Sequence, residues 1–190
     1  GILRRILLSD RLRDAYGEVA TPLAFACSLL WAVHPLQTAS VTYVIQRCES
    51  LMGLCFLLTF YFAIRGWQSA VPQRWHLAAT LSFLIGVGTK EVIAVAPVLL
   101  FLCHRMFFPG SLKDIFRRSA VLYAGLAFGL VMLGFLVTGG GTLSSGPARI
   151  TFSAIDYWRT QPEIILHYLG LVFRPQDLSI DYAWPVATRW

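Results

Sequence analysis

Charge is scarce in this chain. Of its 190 residues 16 are Lys or Arg and 10 are Asp or Glu, 14% in all, while 56% are hydrophobic. An ordinary soluble domain carries roughly a quarter charged residues, so a water-soluble globule of this size would lack the polar side chains to cover its surface. That excludes a soluble enzyme and a nucleic-acid-binding domain; the partner to expect is a lipid bilayer. The formal charge of +6 and the pI near 9.5 then read as membrane topology, because the basic residues cluster between apolar stretches. A mean hydropathy of +0.62 agrees.

Cysteine is also sparse. Cys27, Cys55 and Cys103 stand inside apolar runs, and Cys48 and Cys55 would lie about 10 Å apart along a helix, too far for a bridge. Free, buried thiols are expected. There is no Gly-rich phosphate loop and no nucleophile elbow, Gly139 to Gly141 are not followed by Lys and a helix, and no second His or Cys stands at metal-ligand spacing from His34 or His167. The chain opens at Gly1 on a basic segment and stops at Trp190 without a terminating element, as a fragment of a longer protein would.

What is present is a series of apolar stretches: Val19 to Val33, Leu51 to Ile64, Leu77 to Val87, Val92 to Met106 and Ser119 to Val137. Several fall short of the roughly 20 residues that cross a hydrocarbon core. Between the third and fourth sits Gly86-Val87-Gly88-Thr89-Lys90-Glu91. One continuous helix would bury Lys90 and Glu91 in lipid, so the sequence predicts a helical hairpin with a tight, recessed turn lining a cavity. The fold class is all-α: a polytopic transmembrane helix bundle of about five spans, some short or recessed, with an interfacial helix in the tail.

Counting basic residues gives the sidedness. With Arg4, Arg5, Arg11 and Arg13 in the cytoplasm, alternation puts Arg65, Arg74, Arg105, Lys113, Arg117 and Arg118 on the same side and leaves Arg47 and Lys90 on the outer face. Residues 1–138 form the bundle. Residues 139–190 hold an outer-face connector (Gly139 to Pro147), a helical segment and the start of the next segment. In the helical segment Ile155, Trp158, Ile165, Tyr168, Leu169 and Val172 fall on one face, which suits a helix at the interface; a sixth span is the alternative.

Two outer-face segments carry the chemistry. In the first, His34 to Ser50, a helix after Pro35 would put Thr38, Thr42, Gln46 and Glu49 on one stripe. Tyr43 and Arg47, four apart, suit an anion, since a guanidinium fork matches phosphate geometry. Arg47 and Glu49 as plain headgroup anchors fit equally well. In the second, Thr89-Lys90-Glu91, Lys90 suits a lipid phosphate, and Glu91 would hold Lys90, bind a metal or orient Arg47; a surface ion pair is the simpler account. His34 before Pro35 reads first as a helix terminator and second as a base. Asp181 reads first as a turn residue and second as a further carboxylate.

The runs LLWAVHPLQTASVTYVIQRCESLMGLCFLLTFYFAIRG, GVGTKEVIAVAPVLLFL and HYLGLVFRPQDLSIDYAWP resemble the membrane part of transmembrane and tetratricopeptide-repeat-containing, O-mannosyltransferase-like proteins. These are similar to members of the C-type glycosyltransferase superfamily. The resemblance runs from about Ala20 to Pro185. It implies a glycosyltransferase, acting in protein O-glycosylation, that moves a sugar from a polyprenyl-phosphate donor to a protein acceptor on the outer or lumenal face, with a divalent metal as an optional cofactor. On this chain it implies Arg47 and Lys90 as phosphate ligands, Glu49 and Glu91 as supporting carboxylates, and Tyr43, His34 and Gln46 as further substrate contacts. The acidic motif of such enzymes lies in a large loop upstream of this chain, and no repeat of about 34 residues is present here, so the chain alone is expected to be inactive. A non-catalytic membrane scaffold presenting a repeat domain is the alternative, and a lipid or solute transporter the third. Free cysteines and compact loops favour a bacterial inner membrane over the endoplasmic reticulum.

Overall fold

In the computed structural model, residues 1–37, 47–108, 110–138, 154–176 and 178–179 are described. Every regular element among them is helical: α1 (Ile2–Leu7), α2 (Arg13–Tyr16), α3 (Ala20–Val33), α4 (Arg47–Trp67), α5 (Pro72–Val87), α6 (Ala96–Phe107), α7 (Leu112–Arg118), α8 (Ala120–Thr138) and α9 (Ala154–Phe173). Short 3-10 turns cover Pro35–Gln37 and Glu91–Val95.

All five apolar stretches are helices, but α4 and α8 are the two long and apolar enough to cross a membrane. At a rise of about 1.5 Å per residue the 14 residues of α3 reach ~21 Å and the 16 of α5 ~24 Å, short of the ~30 Å core. Helix α4 is longer than the apolar run at its centre. It begins at Arg47, so Arg47 and Glu49 sit in its first turn rather than in a loop.

The helices meet through small residues. A Cβ added at Gly66 would lie 2.6 Å from His76 Nε2, and one at Gly86 would lie 3.0 Å from Cys55 Cβ, contacts that fix α4 and α5 as an antiparallel pair. Along α8, Gly125 abuts Thr80 and Gly129 abuts Phe83, so α8 runs parallel to α5 at close approach. Ala63, Ala79, Phe83, Leu100, Leu122 and Leu126 fill the core between them. Other large apolar side chains point outward: Phe25, Leu30, Phe128 and Phe135 are 68%, 69%, 61% and 73% exposed. Large apolar side chains therefore occupy both the core and the outer surface, and an outer surface this apolar is of the kind that meets a membrane or a partner.

The thiols divide. All four are free, but only Cys55 and Cys103 are buried; Cys27 and Cys48 are exposed, against the expectation of burial. An apolar run does not imply an interior position when the outer surface is itself apolar.

The hairpin at the third and fourth stretches is present. Helix α5 ends at Val87, Gly88 caps it in a right-handed conformation, and α6 starts after the 3-10 turn. Ile93 folds over Gly86, where any Cβ would collide with its Cδ1. Helix α6 then returns until His104 stacks on Trp67 at the end of α4, ring centroids 4.1 Å apart.

Helix α9 carries Asp156, Arg159 and Glu163 and is not among the two candidate spans. Its residues Trp158, Ile165, Tyr168, Leu169 and Val172 are all exposed. The connector 139–153 lies outside the described residues.

Candidate functional site

The antiparallel α4–α5 pair and the turn into α6 bring the start of α4 and the Thr89-Lys90-Glu91 turn to one end of the bundle. There Lys90 Nζ donates to Glu49 Oε1 in an ion pair across 41 residues of sequence. Both side chains are about one third exposed, Lys90 33% and Glu49 39%. Lys90 is therefore held by Glu49, not by its neighbour Glu91. With φ −160° and ψ 142° the backbone at Lys90 is extended, and successive side chains of an extended segment point to opposite sides.

The turn is built on one carbonyl. Gly86 O accepts from Thr89 N at 2.9 Å, Lys90 N at 3.1 Å and Thr89 Oγ1 at 2.7 Å. Three donors on that oxygen fix the direction in which Lys90 leaves the helix. The C-terminal carbonyls of α5 beside it favour a cation. Arg47, first residue of α4, and Glu91, first of the 3-10 turn, are both exposed at this end.

His34 caps α3 in an extended conformation. Its Nδ1 accepts from Leu36 N at 3.3 Å, so Nε2 carries the proton and donates to Val172 O at 3.0 Å. The ring ties the end of α3 to the end of α9, and both nitrogens are engaged with backbone. His34→Ala is expected to cost roughly 1 kcal/mol of local stability, read as faster hydrogen exchange of the last-turn amides of α9; loss of sugar transfer with unchanged exchange would place His34 against substrate instead. Tyr43, Gln46 and Asp181 lie outside the described residues.

Among the described residues no group of three or more His, Cys, Asp or Glu could hold a metal ion. The metal that the resemblance allows therefore has no ligand set among them.

The opposite end is basic. Arg4 Nε donates to Thr21 Oγ1 at 2.9 Å and Arg5 Nη1 to Gln68 Oε1 at 3.0 Å, fastening α1 to α3 and to the end of α4. The Arg65 guanidinium lies 4.0 Å from the Trp75 ring centroid. A cavity of about 630 Å³ at this end is lined by Trp67, His76, His104, Arg118 and Ser119 among others. These residues come from several elements, and no local spacing in the sequence marks them as a group.

No family model matches the chain, and no solved structure does. Curated relatives do. A protein O-mannosyl-transferase of Caenorhabditis elegans is 25% identical over 172 residues, 88% of this chain and 24% of that protein. Protein O-mannosyl-transferase Tmtc2 of Drosophila melanogaster is 26% identical over 174 residues, 86% of this chain and 19% of its own length. Protein O-mannosyl-transferase Tmtc3 of the same fly is 46% identical over 52 residues, 27% of this chain and 6% of its own. The chain thus spans about a quarter or less of the length of the relatives it matches.

Proposed function

We propose that this chain is the membrane core of a glycosyltransferase that passes a sugar, mannose by its relatives' names, from a polyprenyl-phosphate donor to protein hydroxyls. The observation that carries the reading is the Lys90–Glu49 pair at the end of the bundle away from the arginine cluster. By the positive-inside rule the arginine-rich end faces the cytoplasm, which puts the pair, Arg47 and Glu91 on the outer or lumenal face. Such a bundle would cross the bilayer about five times, the short helices packed in the interior or recessed, with α9 at the interface.

In the transfer the bond from the anomeric carbon to the donor phosphate breaks, and a bond to the acceptor oxygen forms. The acceptor proton goes to a carboxylate, and polyprenyl phosphate leaves. Lys90 and Arg47 stabilise the charge that grows on that phosphate, and fixed donors facing a developing charge are the largest single contribution in many enzymes. Glu49 positions Lys90 and, with Glu91, supports the acceptor side; Tyr43 and Gln46 belong to the same outer segment. The general base is expected upstream of this chain.

Membranes holding the full-length protein, given radiolabelled polyprenyl-phosphate mannose, are expected to transfer label to protein. If no common polyprenyl-phosphate sugar yields labelled protein, the enzyme reading fails and a scaffold presenting a repeat domain replaces it.

A further inference from the structure

Helix α7 (Leu112–Arg118), between α6 and α8 at the basic end, has no part in the transfer chemistry. Its start is fixed locally: Ser111 Oγ accepts from Asp114 N at 3.3 Å and donates to Asp114 Oδ2 at 2.7 Å. Its position is fixed by apolar contacts. Ile115 is 2% exposed, and the Phe116 ring packs on Phe101 of α6 and Tyr123 of α8, with centroids 6.0 Å and 5.1 Å away. Ser119 alone separates α7 from α8, which is one of the two described helices long and apolar enough to cross a membrane. Helix α7 therefore lies at the level where that span would leave the hydrocarbon.

The two sides of α7 differ in charge. Asp114 and Arg118, one turn apart, line the 630 Å³ cavity with Ile115, so on that side a carboxylate accompanies the guanidinium. The outward side has cations and no carboxylate. Leu112 and Phe116 are one turn apart, Lys113 and Arg117 likewise, and Lys113 stands three residues before Phe116, so the four share one surface. All four are exposed, Leu112 by 54% and Phe116 by 49% even after its ring contacts. Arg105 is exposed one turn beyond Phe101, on the stripe of α6 that meets Phe116, and adds a third cation. Water would receive these cations but not the two large apolar side chains, and hydrocarbon would do the reverse. A lipid headgroup layer receives both, and a face of one sign of charge favours anionic headgroups within it.

We infer that the outward face of α7 lies in the headgroup layer of the leaflet at the arginine-rich end and binds anionic phospholipid there. Leu112 and Phe116 enter the boundary of the acyl chains, and Lys113 and Arg117 meet the negative headgroups. The inference rests on the placement of the bundle in a membrane proposed above, and it stands whether or not the Lys90–Glu49 pair catalyses transfer.

The test is hydrogen exchange of the full-length protein in lipid nanodiscs, read by mass spectrometry, with phosphatidylcholine alone or mixed with phosphatidylserine. The amides of residues 112–118 are expected to exchange at least about fivefold more slowly with phosphatidylserine, the factor that one Lys or Arg beside an anionic surface is worth. Those of α8 should stay protected in both mixtures. The double change Lys113→Gln and Arg117→Gln should remove the difference at α7; both side chains are exposed, so the bundle is expected to keep its fold. Equal exchange in the two mixtures overturns the inference, and so does a difference that the double variant keeps. Should that variant fail to fold, the comparison of lipids on the unaltered protein still decides. Unprotected α8 amides in both nanodiscs would overturn the membrane placement itself, whereas protected α8 with α7 indifferent to lipid overturns this inference alone. Slowed exchange at α7 that appears only when cytosol is added assigns the face to a soluble partner and overturns it as well.

Discussion

Lys90→Ala is expected to lower sugar transfer more than about a hundredfold at matched expression, roughly 2.7 kcal/mol of transition-state stabilisation. Glu49→Gln should cost much less. The two side chains share one ion pair, so a purely structural role makes their removal equivalent and small, because a pair one third exposed contributes only about 0–1 kcal/mol. A catalytic role breaks the symmetry. Without Lys90 the departing phosphate loses a cation held beside it; without Glu49 the cation remains and loses only its positioning. Lys90→Arg should recover part of the rate, since charge is kept but the compact ammonium is exchanged for a wider fork. Arg47→Ala, at the exposed start of α4, should also reduce transfer. Measuring kcat and KM for Lys90→Ala, Glu49→Gln and the double variant decides the matter: equal, small losses at both positions would return the pair to a topological anchor.

The partner of Lys90 shows where sequence reading reaches and where it stops. Alternation of basic residues is enough to group Arg47, Glu49, Lys90 and Glu91 at one end, because it depends only on the order of apolar stretches. It cannot choose between Glu49 and Glu91 as the counter-ion. That choice rests on the extended backbone at Lys90 and on the three hydrogen bonds to Gly86 O, both consequences of how α5 meets α6. The limits of α4 are hidden for another reason. Hydropathy marks the apolar centre of a helix, while Arg47, Glu49 and Arg65 sit in the polar turns at its ends. The basic-end cavity leaves no local signal, since His76 and His104 stand on different helices 28 residues apart. The close contact of α8 at Gly125 and Gly129 goes unread in the sequence although the two glycines stand four apart in an apolar helix, and its partner helix carries no local signal at all.

That pattern yields the largest expected effect on the fold. Gly125→Leu and Gly129→Leu should each destabilise the protein by about 1–3 kcal/mol through overpacking, seen as a lowered unfolding midpoint of the full-length protein in detergent. At Gly125 an added Cβ would collide with Thr80 Cγ2 and Oγ1 and lie 2.9 Å from Thr80 Cβ, so no rotation of the threonine relieves the clash. At Gly129 it would lie 2.5 Å from Phe83 Cε1 and 2.8 Å from Cδ1. Phe83 is 0% exposed and has no free space to enter. Gly134, on the same helix, has nothing within 4 Å of an added Cβ. Gly134→Leu should therefore be neutral or gain up to roughly 1 kcal/mol from helix propensity. Hydrophobicity and helix type are the same in all three variants, and only the approach of α5 differs. A common shift at 125, 129 and 134 would mean that close packing of α5 on α8 does not hold the bundle. A loss confined to 125 and 129 would mean that it does, and that the elements carrying Lys90 are braced by a contact without a charged or hydrogen-bonded residue at its centre.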